Sequence, residues 1–258
     1  DDAEFLRSKR NAEKIKETLN PYLLEYQNFI QQNIYLSYRL CNLFRSDLSQ
    51  RSKASVEQFG SLIQRDSSFA FEPVLQNQFE QLRQFIELSI QANYAIDAKN
   101  KRFVESELKV FKQFFDQVES TPLTNEQRVS SIIFEDRNLL VAAAGSGKTS
   151  TIVGKVGYAL LTGLYKPEEI LVLAFNKNAG EELSERINSR LKDILSNFDT
   201  SVEALNFHKF GVRVIGKATG KSPSVSNDAG KPQVLLNRII QQLIETDPDF
   251  QEKYLLFK

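Results

Sequence analysis

The ten residues VAAAGSGKTS, numbered 141–150, constrain this chain more than any other stretch. Glycines at 145 and 147 allow the backbone to curl until successive amides point at one anion, and a helix starting near Thr149 would add the positive end of its dipole. Lys148 would bring a mobile charge to the β- and γ-phosphates, and the hydroxyl of Thr149 would ligate Mg²⁺. A phosphate cradle is therefore predicted, the plain alternative being a glycine-rich turn before Lys-Thr.

The residues on either side favour the phosphate-binding interpretation of this segment, whose residues 142–147 we call the glycine loop. It lies between an apolar run at 138–143, predicted as a strand, and an amphipathic helix predicted over 149–164, which is the context that the motif requires. The usual first glycine of the motif is Ala142 here. The predicted ligands are ATP and Mg²⁺, with catalytic roles for Lys148 and Thr149. The predicted nucleotide contacts in this stretch are Ala142, Ala143, Ala144, Gly145, Ser146, Gly147, Lys148, Thr149 and Ser150.

Glycine usage divides the chain near residue 120. Gly60 is the one glycine before residue 121, and the other ten follow it. Because glycine is costly inside helices, the first part is predicted to be helical. Apolar stripes at helical spacing agree. One stripe consists of Leu75, Phe79, Leu82 and Ile86. We predict a helical bundle or long helical hairpin over 1–120, with helix ends marked by Pro21 and Pro73; the stripes could instead dock a partner helix.

After Pro122 short apolar runs alternate with helical stretches. The runs cover 138–143, 169–175 and 201–207, and helices are predicted over 149–164, over 178–191 and after 207. This alternation is typical of a parallel sheet covered by helices, and it predicts an α/β domain over 121–222. A linker beyond Lys221 leads to a further helix over 234–244, within a third segment at 223–258.

The composition of the chain gives no sign of a strongly basic nucleic-acid-binding protein, a membrane protein or a secreted protein. Lys plus Arg and Asp plus Glu both total 33, so any nucleic-acid contact must come from a local patch. The longest apolar run has six residues, against roughly 20 for a membrane span, and the amino terminus lacks the pattern of a secretory signal. The single cysteine, Cys41, is expected to be buried and fits a cytoplasmic location. The chain begins with Asp and has no Met, so we expect it to be part of a longer parent.

The stretches LTNEQR and AAAGSGKTS together resemble the Q motif and motif I of the UvrD/Rep-type superfamily 1 DNA helicases. The resemblance implies a RecA-like P-loop parallel sheet, of which this chain would hold a partial domain 1A, with residues 223–258 starting the helical insertion 1B. It also implies that Gln127 reads the adenine edge. The alternative from the residues alone is a helix capping box formed by Thr124 and Gln127.

Two further stretches are similar to DNA-facing motifs of the same family. LAFNKNAGEEL, from Leu173, is similar to motif Ia, and NFHKF, from Asn206, is similar to motif Ib. The resemblance implies single-stranded DNA as partner. Because the carboxyl ends of parallel strands share one edge, we expect these loops at the edge that holds the glycine loop. Phe207 could instead be a core residue, and His208 a structural one. The predicted DNA contacts are Phe175, Asn176, Lys177, Asn206, Phe207 and His208.

The run FFDQVESTPLTNEQ extends the likeness back into the helical region, which would be an accessory region. Two alternatives stay open. In one, the helices of residues 1–120 form a protein-binding arm, as in superfamily 1 relatives that act on RNA polymerase. In the other, the chain is a P-loop kinase or nucleotide switch. The chain is expected to be a monomer.

The acidic pair that the family uses for hydrolysis is not found in this sequence. The family places Asp-Glu at the end of an apolar strand. Glu135 and Asp136 precede a predicted strand, and Glu245 and Asp247 follow only a short apolar stretch. We therefore expect an ATP-dependent DNA helicase in the full-length parent, 3′-to-5′ by family inference, and a chain that is by itself nearly inactive in hydrolysis.

Overall fold

The computed structural model describes residues 2–65, 73–221, 223 and 232–257, and they are mainly helical. The elements in chain order are α1 (Asp2–Gln31), α2 (Tyr38–Arg65), α3 (Pro73–Ile86), α4 (Ile90–Val110), α5 (Lys112–Gln117), α6 (Asn125–Ile132), α7 (Lys148–Leu161), a 3₁₀ turn (Pro167–Glu169), β1 (Val172–Ala174), α8 (Lys177–Arg190), α9 (Lys192–Leu195), β2 (Ala204–Asn206), α10 (Phe207–Thr219), α11 (Pro232–Thr246) and α12 (Pro248–Phe257).

The chain divides into two compact units, which are described separately. The first comprises Asp1–Ile170 and Leu183–Val202, and the second comprises Leu171–Glu182 and Glu203–Lys258. The boundaries predicted at 120/121 and 222/223 stay predictions, and residues 222 and 224–231, where the second one falls, lie outside the described residues. Among the described residues, no helix is long and apolar enough to cross a membrane.

The amino-terminal helices pack around an aromatic and aliphatic core, as the helical stripes predict. Leu19 and Leu23 of α1 meet Phe59 of α2 and Leu82 of α3 in one buried cluster, which includes Cys41. The rings of Phe29 and Phe44 stack with centroids 3.9 Å apart. Each such side chain contributes roughly 1.5–3 kcal/mol on burial, so this core stabilises the helices independently of helix propensity.

The prediction that Pro21 ends a helix is wrong, whereas Pro73 does begin one. Pro21 lies inside α1, where it removes one intrahelical hydrogen bond. Leu19 and Leu23, two residues to either side, are buried almost completely, and their packing outweighs that local cost of ~3 kcal/mol. Pro73 is the first residue of α3, a position where its missing amide leaves no bond unmade.

Two parallel strands form the sheet in the second unit. β1 pairs with β2 in register from Val172↔Ala204 to Ala174↔Asn206, which confirms parallel pairing for the two later runs. The strand predicted at 138–143 is wrong for this structure, because these residues have no regular secondary structure. Leu139 and Val141 are 88% and 85% exposed. A strand needs a neighbour for its backbone amides and carbonyls, and among the described residues the sheet consists of β1 and β2 without this run.

Candidate nucleotide-binding site

The glycine loop curls tightly before α7, as its sequence predicts. Gly145 and Gly147 adopt φ values of 79° and 83°, a left-handed conformation that side chains rarely allow. Ser146 closes the curl, since its amide and its hydroxyl both donate to the carbonyl of Ala143, at 3.3 and 2.7 Å. A Cβ on Gly147 would lie 2.4 Å from Nε2 of Gln127, so a side chain at this position would displace the Gln127 amide.

Lys148 is the first residue of α7 and reaches back over the loop. Its ammonium group donates to the carbonyls of Ala142 and Ala143, at 3.1 and 2.7 Å. Thr149 and Ser150 follow in the first turn, where backbone amides of a helix have no intrahelical partner. The ammonium group of Lys148 and the backbone amides of this first turn can together bind an anion that has several oxygens.

Gln127 connects the glycine loop to α6 through both ends of its side-chain amide. Oε1 accepts from the backbone amide of Thr124 at 2.8 Å, and the hydroxyl of Thr124 accepts from the amide of Gln127 at 3.4 Å, which completes a capping box. Nε2 donates to the carbonyl of Ser146 at 3.1 Å. The capping-box alternative is therefore present in the structure, together with a direct contact to the loop.

An ion-pair network around one buried carboxylate supports the first turn of α7, and sequence reasoning missed it. The side chain of Glu119 is only 2% exposed, and its Oε1 accepts from Nε of Arg186 at 3.0 Å. The same guanidinium donates to the hydroxyl of Ser150 at 3.0 Å. Arg190 places its Nε 3.2 Å from Oε2 of Glu119, without the alignment of a hydrogen bond. Arg186 thus holds the residue next to Thr149 against a fixed carboxylate.

Lys155 fixes α7 to the end of α6. Its ammonium group donates to the carbonyls of Ser130, at 3.0 Å, and of Ile133, which belong to the last turn of α6 and the residue after it. It also lies 4.0 Å from the centre of the Phe134 ring, a cation–π contact. Burial lowers the pKa of this ammonium to about 8.

Three of the four acidic residues considered for hydrolysis have structural partners. Glu135 accepts from the backbone amide of Tyr38 at 3.0 Å, and Asp136 accepts from that of Arg39 at 2.7 Å. Both carboxylates thereby cap the start of α2. Asp247 accepts from the amides of Asp249 and Phe250 and so caps α12.

Metal-binding groups are sparse around the glycine loop. Within the part of the chain that the structure describes, His, Cys, Asp and Glu side chains form no group of three able to hold a metal ion. Mg²⁺ in nucleotide sites depends largely on substrate phosphates and water, so a site of this kind does not need such a group. The role of Thr149 as an Mg²⁺ ligand stays a prediction.

The residues predicted to face DNA lie in the second unit, where each strand ends. Phe175 follows β1 and is 87% exposed, and Phe207 follows β2 and is 57% exposed, so Phe207 is not a core residue. The register Ala174↔Asn206 places these two aromatic residues directly after paired positions. Two exposed rings therefore stand at the same edge of the sheet.

The polar residues predicted to contact DNA lie at or near the starts of α8 and α10. Asn176 accepts from the amide of Ala179 at 2.8 Å, before α8. Asn206 accepts from the amide of Lys209 at 2.8 Å and is the N-cap of α10. Lys177 has a highly exposed side chain whose ammonium lies 3.7 Å from a carboxylate oxygen of Glu181. His208 is the second residue of α10 and is exposed.

Comparison with known proteins assigns the family. A glycine loop of this geometry at the start of an apolar helix is typical of proteins that bind nucleotides. The family model of the UvrD/REP helicase N-terminal domain matches residues 123–253, just over half of the chain. The chain belongs to the UvrD/Rep helicase family.

Three curated relatives show how much of a related helicase this chain matches. DNA helicase IV of Escherichia coli (strain K12) is 39% identical over 127 residues, 49% of this chain and 18% of its own length. The ATP-dependent DNA helicase Rep of Buchnera aphidicola subsp. Schizaphis graminum (strain Sg) is 30% identical over 125 residues, 45% of this chain and 18% of its own. DNA helicase II of Rickettsia typhi (strain ATCC VR-144 / Wilmington) is 28% identical over 93 residues, which are 36% of this chain and 13% of its own length. The matched part thus spans less than a fifth of each relative.

Proposed function

We propose that this chain is the ATP-binding portion of an ATP-dependent DNA helicase and translocase, in which a longer parent moves along single-stranded DNA. The observation that carries the proposal is the glycine loop, with two left-handed glycines followed by Lys148 at the start of α7. Membership of the UvrD/Rep family supports the helicase assignment. A RecA-like domain 1A containing the loop, and 3′-to-5′ movement, belong to the same proposal.

The glycine loop and the residues beside it would have distinct tasks with ATP bound. The amides around Gly145 and Gly147 would donate to phosphate oxygens, and Lys148 would exchange the two loop carbonyls for the β- and γ-phosphates. Thr149 would ligate Mg²⁺, which neutralises charge on the transferring phosphate. Gln127, already against the carbonyl of Ser146, would turn its amide edge to the adenine.

Hydrolysis would require two carboxylates, and arginines for the transferring phosphate. The carboxylates of Glu135, Asp136 and Asp247 cap helices, as described above. We therefore expect the chain to bind MgATP weakly and to hydrolyse it barely, with the remaining carboxylates and arginines coming from the rest of the parent.

The decisive variant is Lys148→Ala, measured by titration calorimetry of this chain with MgATP. Removing a charge-assisted contact worth ~2 kcal/mol should weaken binding by about thirtyfold. Lys192→Ala is the matched control, since Lys192 is exposed on α9. Both variants should keep the wild-type unfolding temperature to within about 2 °C. Equal ATP binding by Lys148→Ala and wild type would show that the loop does not bind phosphate.

RNA-polymerase-associated ATPases of the same superfamily are the second candidate function. The amino-terminal helices carry no excess of basic residues, with 16 basic and 17 acidic residues before Pro122, and this balance suits a protein partner at least as well as DNA. Stimulation of the parent's ATPase by single-stranded DNA without polymerase would decide for the helicase.

A further inference from the structure

A cavity of about 460 Å³ lies inside the first unit, away from the glycine loop. Its walls come from the segment between α1 and α2, from α4, and from the residues around α6 and α7. Its volume lies within the range of roughly 300–1,000 Å³ that is typical of small-molecule sites. Its most characteristic lining residues are Phe103, Glu107, Phe111, Phe134, Tyr158 and Tyr165.

The cavity contains a buried carboxylate with little compensation for its charge. Glu107 is 8% exposed, and its Oε2 accepts a hydrogen bond of 2.7 Å from the hydroxyl of Tyr158. Among the residues that the structure describes, no Lys, Arg or His approaches this carboxylate to within ion-pair distance. A buried carboxylate with one neutral donor is costly, because desolvation removes several kcal/mol that one hydrogen bond does not restore.

Aromatic rings form much of the remaining wall. Phe111 meets Tyr158 edge to face at 5.1 Å, and Phe134 lies 6.2 Å from Tyr158 and 5.9 Å from Tyr165 between ring centres. The face of an aromatic ring is negative and attracts organic cations. Two ammonium groups of the chain already contact such rings, since Lys155 lies over Phe134 and Lys99 lies 5.4 Å from the centre of the Phe103 ring.

We propose that this cavity binds a small organic cation, an alkylammonium or guanidinium compound, through the Glu107 carboxylate and the surrounding aromatic faces. The carboxylate supplies the ion pair that it otherwise lacks, and the rings replace the water that the cation loses on entry. The volume accommodates a diamine or another amine of similar size. The hydroxyl of Tyr158 holds Glu107 in place from α7, because this hydrogen bond joins two helices that both line the cavity.

The test is calorimetric titration of this chain with n-butylammonium and putrescine, beside the neutral isosteres 1-butanol and 1,4-butanediol at matched ionic strength. The amines should bind and the alcohols should bind at least about tenfold more weakly, since only the amines pair with the carboxylate. Glu107→Gln keeps the shape and an acceptor for Tyr158 but removes the charge, and it should lower amine affinity by at least about tenfold. Glu105→Gln, on the exposed face of the same helix, should leave affinity unchanged.

A second variant keeps the test decisive if Glu107→Gln does not fold. Phe103→Leu retains an apolar side chain one turn before Glu107 but removes the ring face, so amine affinity should fall by about threefold or more. Titration with Nα-acetyl-lysine methylamide distinguishes two sources of the cation. If this compound binds more tightly than butylammonium, the cation is a lysine side chain of a protein partner. If it binds more weakly, the cation is a free amine. Amine binding that is absent in wild type, or equal in wild type and Glu107→Gln, overturns the proposal.

Discussion

Gln127 makes two hydrogen bonds with different consequences at the scale of a single residue. One completes the capping box of α6, and the other reaches the carbonyl of Ser146 in the glycine loop. The residue identities alone leave capping and adenine contact as alternatives. The structure shows that the cap and the loop contact coexist, because the two ends of one amide make them separately.

We expect Gln127→Ala to lower the preference of the parent for ATP over GTP and to destabilise the fold by about 1 kcal/mol. Thr124→Ala is the matched variant, because it removes the hydroxyl from the same capping box and leaves the Gln127 amide against Ser146. It should cost similar stability without changing nucleotide preference. If the two variants have the same ratio of ATP to GTP affinity, Gln127 is a helix cap only.

Lys155 should make stability rise with pH in a narrow alkaline window. Burial lowers its pKa to about 8 in the folded protein, from 10.5 in the unfolded chain. Below pH 8 the fold holds a charged ammonium at a cost, and that cost is relieved as the pH rises from 8 towards 10.5. The unfolded state binds more protons there, so the free energy of unfolding increases by less than about 1.4 kcal/mol per pH unit from this group.

Urea unfolding of wild type and Lys155→Met between pH 7 and 9.5 isolates this contribution. The tyrosine and cysteine groups whose pKa values burial raises, such as Cys41 at about 11, are common to both proteins and cancel in the difference. Wild type should gain stability relative to the variant above pH 8. Parallel curves across this window would mean that Lys155 titrates as an exposed lysine does.

At the scale of elements, the start of α2 depends on residues almost a hundred positions away. The carboxylates of Glu135 and Asp136 accept from the amides of Tyr38 and Arg39, and this joins the amino-terminal helices to the segment that precedes the glycine loop. A carboxylate at a helix start also interacts favourably with the helix dipole. Sequence pattern places this acidic pair before a strand and gives no indication of its partner.

Asp136→Ala should lower the free energy of unfolding by about 1 kcal/mol, within the range measured for caps. Asp136→Asn keeps an oxygen acceptor and loses only the charge, so it should cost a few tenths of a kcal/mol. Chemical denaturation at low salt measures both. An alanine variant as stable as wild type would show that the cap contributes nothing.

The helices and the parallel strands β1 and β2 were predictable because their signals are local, whereas the irregular conformation of residues 138–143 and the support of the glycine loop were not. Asp247-Pro248 is a helix-start signal for α12 that the sequence analysis did not use. The run at 138–143 has the composition of a strand, yet a strand also needs a neighbour. The contact of Arg186 with Glu119 spans 67 positions, so neither periodicity nor spacing could indicate it.

At the scale of the whole molecule, zero net charge means that no general field draws nucleic acid to the chain. Binding of single-stranded DNA would therefore depend on a few groups at the sheet edge, where Phe175 and Phe207 are exposed after paired strand ends. Aromatic rings stack on bases, and the predicted contact of Lys177 would be with a phosphate. These two kinds of contact respond differently to salt.

In the full-length parent, Lys177→Ala combined with His208→Ala should reduce DNA-stimulated ATPase and flatten the salt dependence of single-strand binding. Loss of one phosphate contact lowers the slope of log K against log salt by about 0.7. Phe175→Ala should instead weaken binding by roughly 1–3 kcal/mol at every salt concentration and leave the slope unchanged. Basal ATP binding should be the same in both variants, since neither changes a residue predicted to contact the nucleotide, and Lys192→Ala serves as the control for a lost surface charge. The DNA track lies elsewhere on the parent if two results are found together. The double variant would have the ATPase stimulation and the salt slope of wild type, and Phe175→Ala would bind single-stranded DNA with the affinity of wild type.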